Sequence, residues 1–222
     1  MGRSAMYFAC EKGLVSVVST LVAHGVSLDS AVTTEACGYF PLHVAVKYNH
    51  TELVRKCLAL GAGVNSKCRS GVSPLSIACS LLGVDPYIVS LLLGAGADGS
   101  LSVNGRHPLC LAIIAGNASA VRFLLDSLPK MDVNDSICEP SWTALHVAAA
   151  HNHGNLFIVI HSNFIVIFFF PIANIVWELL YSNSADPRKV DSSAQAKTPL
   201  MVAEELGAIS AKAVIVDFLR SL

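Results

Sequence analysis

The hexapeptide Phe40-Pro41-Leu42-His43-Val44-Ala45 recurs, with drift, along the whole chain of 222 residues. Its relatives begin at residues 4, 73, 107, 143 and 198 and have the sequences SAMYFA, SPLSIA, HPLCLA, TALHVA and TPLMVA. The alanines that close the six copies are separated by 36, 33, 34, 36 and 55 residues. Recurrence at a nearly constant period of this length indicates a stack of similar structural units.

The residues around each hexapeptide predict two helices and a tight turn. Proline at the second position of the hexapeptide suits the first turn of a helix, where its missing N–H is not needed. An apolar pair typical of a second helix follows in five copies, at Val17-Val18, Leu53-Val54, Ile88-Val89, Ala120-Val121 and Ile175-Val176. Gly38, Gly71 and Gly105 precede the hexapeptide, where a tight hairpin turn favours positive φ. Ser141 and Ala196 stand at that position in the last two copies.

The hexapeptide and its period resemble those of the ankyrin repeat, whose signature is T-P-L-H-x-A with a period of about 33 residues. The resemblance implies an all-α solenoid of stacked helix–turn–helix units with short hairpin loops. It covers residues 4–222 as six repeats, at approximately 4–36, 37–69, 70–103, 104–137, 140–194 and 195–222. It also implies that the imidazoles of His43 and His146, at the fourth position of the signature, hydrogen-bond to neighbouring backbone.

The spacing of 55 residues indicates an insertion inside the fifth repeat. The distance from the motif alanine to the apolar pair of the second helix is 19 residues longer in the fifth repeat than in the second repeat. Removing residues 156–174, LFIVIHSNFIVIFFFPIAN, restores a spacing of 36 residues. Fourteen of these nineteen residues are apolar, and none is Asp, Glu, Lys or Arg.

Three interpretations of residues 156–174 stay open. A transmembrane helix needs about 20 predominantly apolar residues, but this run would have to include His161, Ser162 and Asn163 and would separate the two helices of one repeat. The second interpretation is a functional insertion loop, although such loops are usually polar. The third, which we favour, is an unspliced intron translated in frame, because a pyrimidine tract encodes a run such as FFFP. Peptides from this segment, detected by mass spectrometry, would contradict that hypothesis.

The composition excludes several classes of protein. With 53% hydrophobic and 14% charged residues, the chain is not intrinsically disordered, and its formal net charge of −1 argues against a nucleic-acid-binding protein. The seven cysteines include no C-x-C or C-x-x-C pair, so we expect reduced, partly buried thiols rather than disulfides or a zinc knuckle. Residues 1–13 lack the apolar segment of an export signal. We therefore expect a cytoplasmic protein, with the nucleus as an alternative location.

The sequence shows no motif that would indicate catalysis or a cofactor. Residues 94–99 match G-x-G-x-x-G, but the dinucleotide fingerprint follows a strand, whereas this run follows the helical stretch 88–93. His151 and His153 lie at a helix–helix turn, where polar residues are normal, so they do not indicate a metal site. The motifs G-x-S-x-G, P-loop and H-E-x-x-H are missing. We expect a protein that is not an enzyme and has no catalytic residue, cofactor or metal.

Candidate contact residues follow from the resemblance, because ankyrin proteins bind through the hairpin tips and the exposed side of the first helix. The position just after the turn residue is occupied by Tyr39, Val72, Arg106, Trp142 and Lys197. Positions two and three beyond the motif alanine add Lys47, Tyr48 and His151. Tyr, Trp and Arg are the residue types that most often dominate interface energy.

The resemblance therefore implies a non-catalytic scaffold or adaptor that binds another protein on the concave ankyrin face, rather than nucleic acid or a membrane. Two alternatives belong to other functional classes. One is a membrane-associated ankyrin protein that uses residues 156–174 as an anchor. The other is a regulatory fragment of a larger enzyme that contains ankyrin repeats.

Overall fold

The structure is a computed structural model that describes residues 3–32, 38–127, 134–138, 141–151, 176, 179–180, 185–191 and 196–221. The described residues form eleven α-helices, numbered α1 to α11 in chain order, at Ala5–Glu11, Val15–Ala23, Pro41–Lys47, Thr51–Ala59, Pro74–Ser80, Pro86–Gly94, Pro108–Ala115, Ala118–Ser127, Ala144–Ala150, Pro199–Glu205 and Ile209–Ser221. The predicted all-α class is confirmed. The insertion predicted at residues 156–174 lies outside the described residues.

Each copy of the hexapeptide begins a helix, and its first two residues explain why. Proline is the first residue of α3, α5, α7 and α10, where the helix leaves its N–H unbonded in any case. The residue before the helix caps it in several copies. The Oγ of Ser73 accepts a hydrogen bond from the Ser76 amide at 3.2 Å, and Thr198 caps α10 in the same way through the Met201 amide at 3.3 Å.

The turns before the hexapeptides are left-handed, as their glycines predict. Gly38, Gly71 and Gly105 have φ of 56°, 77° and 71°. Ser141 and Ala196 adopt the same conformation without glycine, with φ of 72° and 45°. Because a Cβ is crowded in this region, these two turns carry backbone strain that the glycine turns avoid.

The chain divides into two compact units, of which the first is Met1–Asn104. Within it, the first helices α1, α3 and α5 pack side by side, and the second helices α2, α4 and α6 form a parallel row. Each second helix also packs against the first helix of its own pair. The largest fully buried side chains of this unit come from both rows and are Leu42, Leu53, Leu75, Ile88 and Leu92.

The second unit is Gly105–Leu222. Here α7 packs on α8 and α9, α9 packs on α10, and α10 packs on α11. Its largest fully buried side chains are Leu109, Ile113, Leu124, Ile137, Leu145 and Leu179. Val176 is also buried. The sequence places Val176 and Leu179 on the second helix of the fifth repeat, so this part of the repeat contributes to the core.

The six described cysteines are free thiols, and all of them are buried, which confirms the expected burial. Burial raises the pKa of Cys10, Cys57 and Cys79 to about 12 in each case, so these thiols are protonated and unreactive at neutral pH.

Candidate binding surface

The two signature histidines link one repeat to the hairpin of the next. The Nε2 of His43 donates to the Val72 carbonyl at 2.9 Å, and the Nε2 of His146 donates to the Lys197 carbonyl at 2.8 Å. Burial lowers the pKa of His43 to about 4, and burial also lowers the pKa of His146. Both imidazoles are therefore neutral at physiological pH, with the hydrogen on Nε2, since a carbonyl only accepts. The structural role implied by the resemblance is confirmed.

Tyr48, the exposed C-cap of α3, and Tyr7, a buried residue of α1, share one carboxylate. The Tyr48 hydroxyl donates to Oε1 of Glu11 at 2.9 Å and lies 3.0 Å from the Tyr7 hydroxyl. The Tyr7 hydroxyl also lies 3.3 Å from Oε1 of Glu11, so its single hydrogen is donated either to that oxygen or to the Tyr48 hydroxyl. These contacts fix the position of the half-exposed Tyr48 ring, because its hydroxyl lies within hydrogen-bond distance of two groups.

The same contacts shift the pKa of two groups in opposite directions. The hydrogen bond with Tyr7, together with burial and the Glu11 carboxylate, raises the pKa of Tyr48. The hydrogen bond from Tyr48 lowers the pKa of Glu11, and the Tyr7 hydroxyl and the Arg3 guanidinium act in the same sense. The pair is therefore a neutral phenol and an ionised carboxylate throughout the physiological range.

Two cations complete this cluster. The Lys47 ammonium lies 5.1 Å from the centre of the Tyr39 ring and 5.8 Å from that of Tyr48. The Arg3 guanidinium lies 4.7 Å from the centre of the Tyr7 ring. Such distances are those of cation–π contacts. We call the whole group the tyrosine surface, and its members are Arg3, Tyr7, Glu11, Tyr39, Lys47 and Tyr48.

Two candidate residues of the second unit meet at a buried aspartate. The Trp142 indole donates to Oδ2 of Asp191 at 3.1 Å, and the Lys197 amide donates to Oδ1 at 2.9 Å. The Lys197 ammonium forms an ion pair with Glu205 at 2.6 Å. Trp142 and Lys197 therefore have structural partners within the unit, which limits what they offer to another protein.

The remaining candidates are separate from these clusters. The Val72 side chain is half-buried, and its carbonyl accepts from His43 and from the Cys68 amide. Arg106 is exposed. A hydrogen bond from Cys110, together with the charge of Arg106, lowers the pKa of Cys138. His151 is half-buried at the C-terminal cap of α9.

Arg3, Tyr7, Glu11 and Asp191 are not among the candidate residues that the sequence predicts. Glu11 could have been predicted from the repeat pattern. It lies two residues beyond the motif alanine Ala9, and Lys47 was chosen as a candidate because it occupies the same position in the next repeat. The same rule, applied to the last repeat, gives Glu205. Asp191 had no such signal, because it belongs to a hairpin whose length the sequence pattern does not fix.

Among the described residues there is no cluster of three or more His, Cys, Asp or Glu side chains that could hold a metal ion. Gly94 is the last residue of α6, as expected for a loop that closes a repeat rather than one that binds a dinucleotide. Within the described part of the chain, no helix is both long and apolar enough to cross a membrane.

Comparison with known proteins gives the same assignment as the structure. A family profile described as "Ankyrin repeats (3 copies)" matches residues 6–99 and residues 75–164, which together make up more than half of the chain. The chain belongs to the ankyrin repeat family. A solved ankyrin repeat domain from Acinetobacter baumannii AYE resembles this ankyrin repeat chain with a TM-score of 0.73 and 22% identity, over 96% of each chain. That likeness supports the fold along nearly the whole chain.

Two curated relatives carry related ankyrin sequence. The Putative palmitoyltransferase ZDHHC13 of Danio rerio is 26% identical over 136 residues, which are 61% of this chain and 21% of that protein. The human Ankyrin repeat domain-containing protein 63 is 32% identical over 123 residues, which are 53% of this chain and 32% of that protein. The ankyrin repeat chain thus matches between a fifth and a third of the length of these relatives. Ankyrin repeat domains typically mediate protein–protein interactions.

Proposed function

We propose that this chain is a non-catalytic scaffold or adaptor that binds a partner protein through the tyrosine surface. The observation that supports this most is the arrangement of Lys47, whose ammonium lies beside the rings of both Tyr39 and Tyr48 at the exposed end of α3. Tyrosine presents a large apolar ring and a polar hydroxyl on a side chain with few rotatable bonds, which is why it is enriched at interfaces.

The tyrosine surface is also ordered before any partner arrives. The Tyr48 hydroxyl donates to Glu11 and lies beside the hydroxyl of the buried Tyr7, so Tyr48 has lost much of its rotational freedom in the free protein. Ordering side chains at an interface costs about 0.5–1.5 kcal/mol for each one that is immobilised, so a surface that is already ordered binds with a smaller entropic penalty. The candidates of the second unit rank lower, because Trp142 and Lys197 are bonded to Asp191. Arg106 is exposed and stays a candidate contact.

A matched pair of variants tests the proposal. Tyr87 is an exposed tyrosine of α6 with the Arg55 guanidinium 5.3 Å from its ring centre, so it reproduces the chemistry of Lys47 and Tyr48 on a second helix. Partner proteins would be captured from cells with a photo-crosslinking residue at position 12, which is exposed next to Glu11 and is not a member of the tyrosine surface, in the parent, Tyr48→Ala and Tyr87→Ala chains. We expect Tyr48→Ala to lose the crosslinked proteins and Tyr87→Ala to retain them.

The result that would contradict the proposal is a crosslinked set that Tyr48→Ala leaves unchanged. Circular dichroism and a urea transition for each variant separate loss of binding from loss of folding. If Tyr48→Ala remains folded and crosslinks as the parent chain does, the tyrosine surface is not the binding site.

The buried free thiols support a location in a reducing compartment, which we propose to be the cytoplasm or the nucleus. Disulfides are rare in both places, whereas six cysteines of a secreted protein would be expected to pair. Imaging of a fluorescent fusion tests this, and a signal confined to the secretory pathway would contradict it.

A second candidate function is that of a regulatory region within a larger enzyme. The relative from Danio rerio, which is named a putative palmitoyltransferase, favours this candidate. This chain matches only 21% of the length of that protein, so the matched region is a small part of a larger protein. Long-read transcripts that join this coding sequence to further exons would support this candidate. Transcripts that end with the present reading frame at both sides would exclude it.

A further inference from the structure

Two cations from different elements lie beside the tip of the first hairpin, at Gly38 and Tyr39. The Lys47 ammonium, at the end of α3, lies 5.1 Å from the centre of the Tyr39 ring. Arg69 belongs to the second hairpin, two residues before Gly71. A Cβ added at Gly38 would lie 3.1 Å from the Cβ of Arg69 and 3.7 Å from its Nε. The two positive side chains therefore approach the same dipeptide from two repeats.

Both cations are exposed although neighbouring repeats are in place around them. The helix α3, which carries Lys47, packs against α1 and against α5. Among the described residues, neither Lys47 nor Arg69 forms an ion pair with a carboxylate. Lys67 is a third exposed cation and lies in the same hairpin as Arg69.

The described carboxylates of the first unit are engaged with other groups. Each of them accepts a hydrogen bond, and they are Glu11, Asp29, Glu52, Asp85 and Asp98. The first unit therefore presents positive charge around this hairpin tip that its own described carboxylates do not neutralise.

The aromatic rings beside these cations add an apolar component. Tyr39 stacks on the buried His43, with the ring centres 5.9 Å apart and an angle of 21° between the planes. Tyr48 is 36% exposed, and its ring centre lies 5.8 Å from the Lys47 ammonium. A ligand that matches both components carries a carboxylate next to an apolar side chain, as a peptide segment does and an inorganic anion does not.

We propose that the partner protein docks here through an acidic segment, whose Asp or Glu carboxylate pairs with Lys47 and Arg69. This inference rests on the proposed function and specifies the chemistry of the partner. A guanidinium can bond both oxygens of a carboxylate, and an ammonium adds a second positive charge. A basic segment would be repelled by the same two cations, so this surface selects between partners by charge.

A library of random linear peptides displayed on phage, selected on the immobilised full chain, tests the inference without knowledge of the partner. The peptides retained by the parent chain should contain about twofold or more Asp and Glu relative to the unselected library. Combining Lys47→Glu with Arg69→Glu should reverse the preference towards Lys and Arg, because carboxylates then replace both cations.

A second double variant is the matched control. Arg55→Glu combined with Lys56→Glu changes two cations of α4, so it alters the net charge by the same amount at a different place. This control should select acidic peptides as the parent chain does. Circular dichroism and a urea transition establish that both double variants are folded.

The affinity of one selected peptide, labelled with a fluorophore and measured by anisotropy, gives the size of the effect. Replacing its Asp and Glu residues by Asn and Gln should weaken binding by about threefold to thirtyfold, the range for one or two exposed ion pairs. Added salt should weaken the binding of the acidic peptide more than that of its neutral version, because salt screens exposed charges.

Three outcomes would overturn the inference. The parent chain could retain no peptide, the retained peptides could show no enrichment of Asp and Glu, or the folded variant with Lys47→Glu and Arg69→Glu could retain the same acidic peptides as the parent chain.

The Tyr48→Ala chain separates this result from the proposed function. Peptides that Tyr48→Ala loses, but that are not enriched in Asp and Glu, would support the tyrosine surface and contradict its acidic specificity. Acidic peptides that Tyr48→Ala retains, and that the variant with Lys47→Glu and Arg69→Glu loses, would support the acidic specificity and exclude Tyr48 as a contact.

Discussion

Ala196 and Ser141 are the residues at which this sequence departs most clearly from its own repeat pattern. Both have the positive φ that the other hairpin turns reach with glycine. We expect Ala196→Gly and Ser141→Gly each to raise the free energy of unfolding by about 0.5–1 kcal/mol. The left-handed conformation costs a non-glycine residue about 1–2 kcal/mol, and the substitution removes this strain. Part of the gain is lost, because glycine has more conformational freedom in the unfolded chain. Urea unfolding measures the change.

The reverse substitution at a glycine turn provides the control. A Cβ added at Gly71, where φ is 77°, would meet no atom within 4 Å, so Gly71→Ala introduces backbone strain without a steric clash. It should lower the free energy of unfolding by about the amount that Ala196→Gly adds. Equal stability of Ala196→Gly and the parent chain would show that the turn is not strained.

His43 makes the stability of the fold depend on pH. Its pKa is lowered to about 4 in the folded state by burial, whereas it is near 6.5 in the unfolded chain. Acid therefore protonates the unfolded chain first, and stability that is fully present above pH 6.5 is lost as the pH falls towards about 4. The expected loss from this residue is on the order of 3 kcal/mol.

Urea unfolding at several pH values in this window measures the effect. His43→Gln keeps an amide donor with about the reach of Nε2 towards the Val72 carbonyl but does not titrate, so its stability should fall less steeply with acid than that of the parent chain. Leu206→Ala, at an exposed position after α10, removes no titratable group and should keep the parent slope. A His43→Gln chain with the parent slope would show that other groups cause the acid dependence.

At the scale of the secondary-structure elements, Asp191 joins the hairpin of the last repeat to the fifth repeat. Its two carboxylate oxygens accept from the Trp142 indole and the Lys197 amide. Asp191→Asn leaves only one accepting oxygen and should lower the free energy of unfolding by about 1–3 kcal/mol, the range for a lost hydrogen bond to a buried charged group. The tryptophan emission should also shift, since Trp142 loses its partner.

Asp126→Asn is the matched control for that measurement. Asp126 is exposed on α8 of the same unit. It should have a much smaller effect on stability than Asp191→Asn. Equal effects of the two substitutions would indicate that Asp191 contributes no more than a surface carboxylate.

The helices follow from the sequence because their signals are local. Pro41 and Pro74 indicate helix starts, and Gly38 and Gly71 indicate left-handed turns, without any knowledge of distant residues. The tyrosine surface depends instead on contacts between α1 and α3, where Glu11 lies beside Tyr48, 37 residues away in sequence. The contact between Glu11 and Tyr48 becomes predictable only after the repeats are aligned. The alignment places Glu11 in the first repeat at the position that Lys47 occupies in the second. The partner of Trp142 could not be predicted in this way, because the residues equivalent to Asp191 in other hairpins, whose amides also donate to the carbonyl of the tip residue, are Val32, Cys68 and Ile137 and carry no carboxylate.

At the scale of the whole molecule, the described helices of each unit pack mainly against those of the same or a neighbouring repeat. In the first unit the packing partners of every helix belong to the same repeat or to an adjacent one. Stability in such an array is approximately the sum of terms for each repeat and for each junction between neighbours. Residues that are distant in sequence therefore do not have to meet before folding can begin.

This locality predicts that residues 1–104 fold without the rest of the chain. The fragment contains three helix pairs, and about three repeats are the minimum for a stable array. Its fully buried side chains include Leu42, Leu53 and Leu75, one from each of three different helices. We expect the fragment to unfold in a single cooperative urea transition, at a lower urea concentration than the full chain, because it has fewer junctions. Residues 1–69 contain two repeats and should show no cooperative transition.

A core substitution separates true folding of the fragment from residual helix. Leu53→Ala removes a side chain that is fully buried in this unit, so it should lower the free energy of unfolding of residues 1–104 by about 2–5 kcal/mol. Leu82→Ala, at an exposed loop position, should change it by less than about 0.5 kcal/mol. A fragment in which both substitutions have the same small effect would lack the packed core, and the first unit would then depend on the second for its stability.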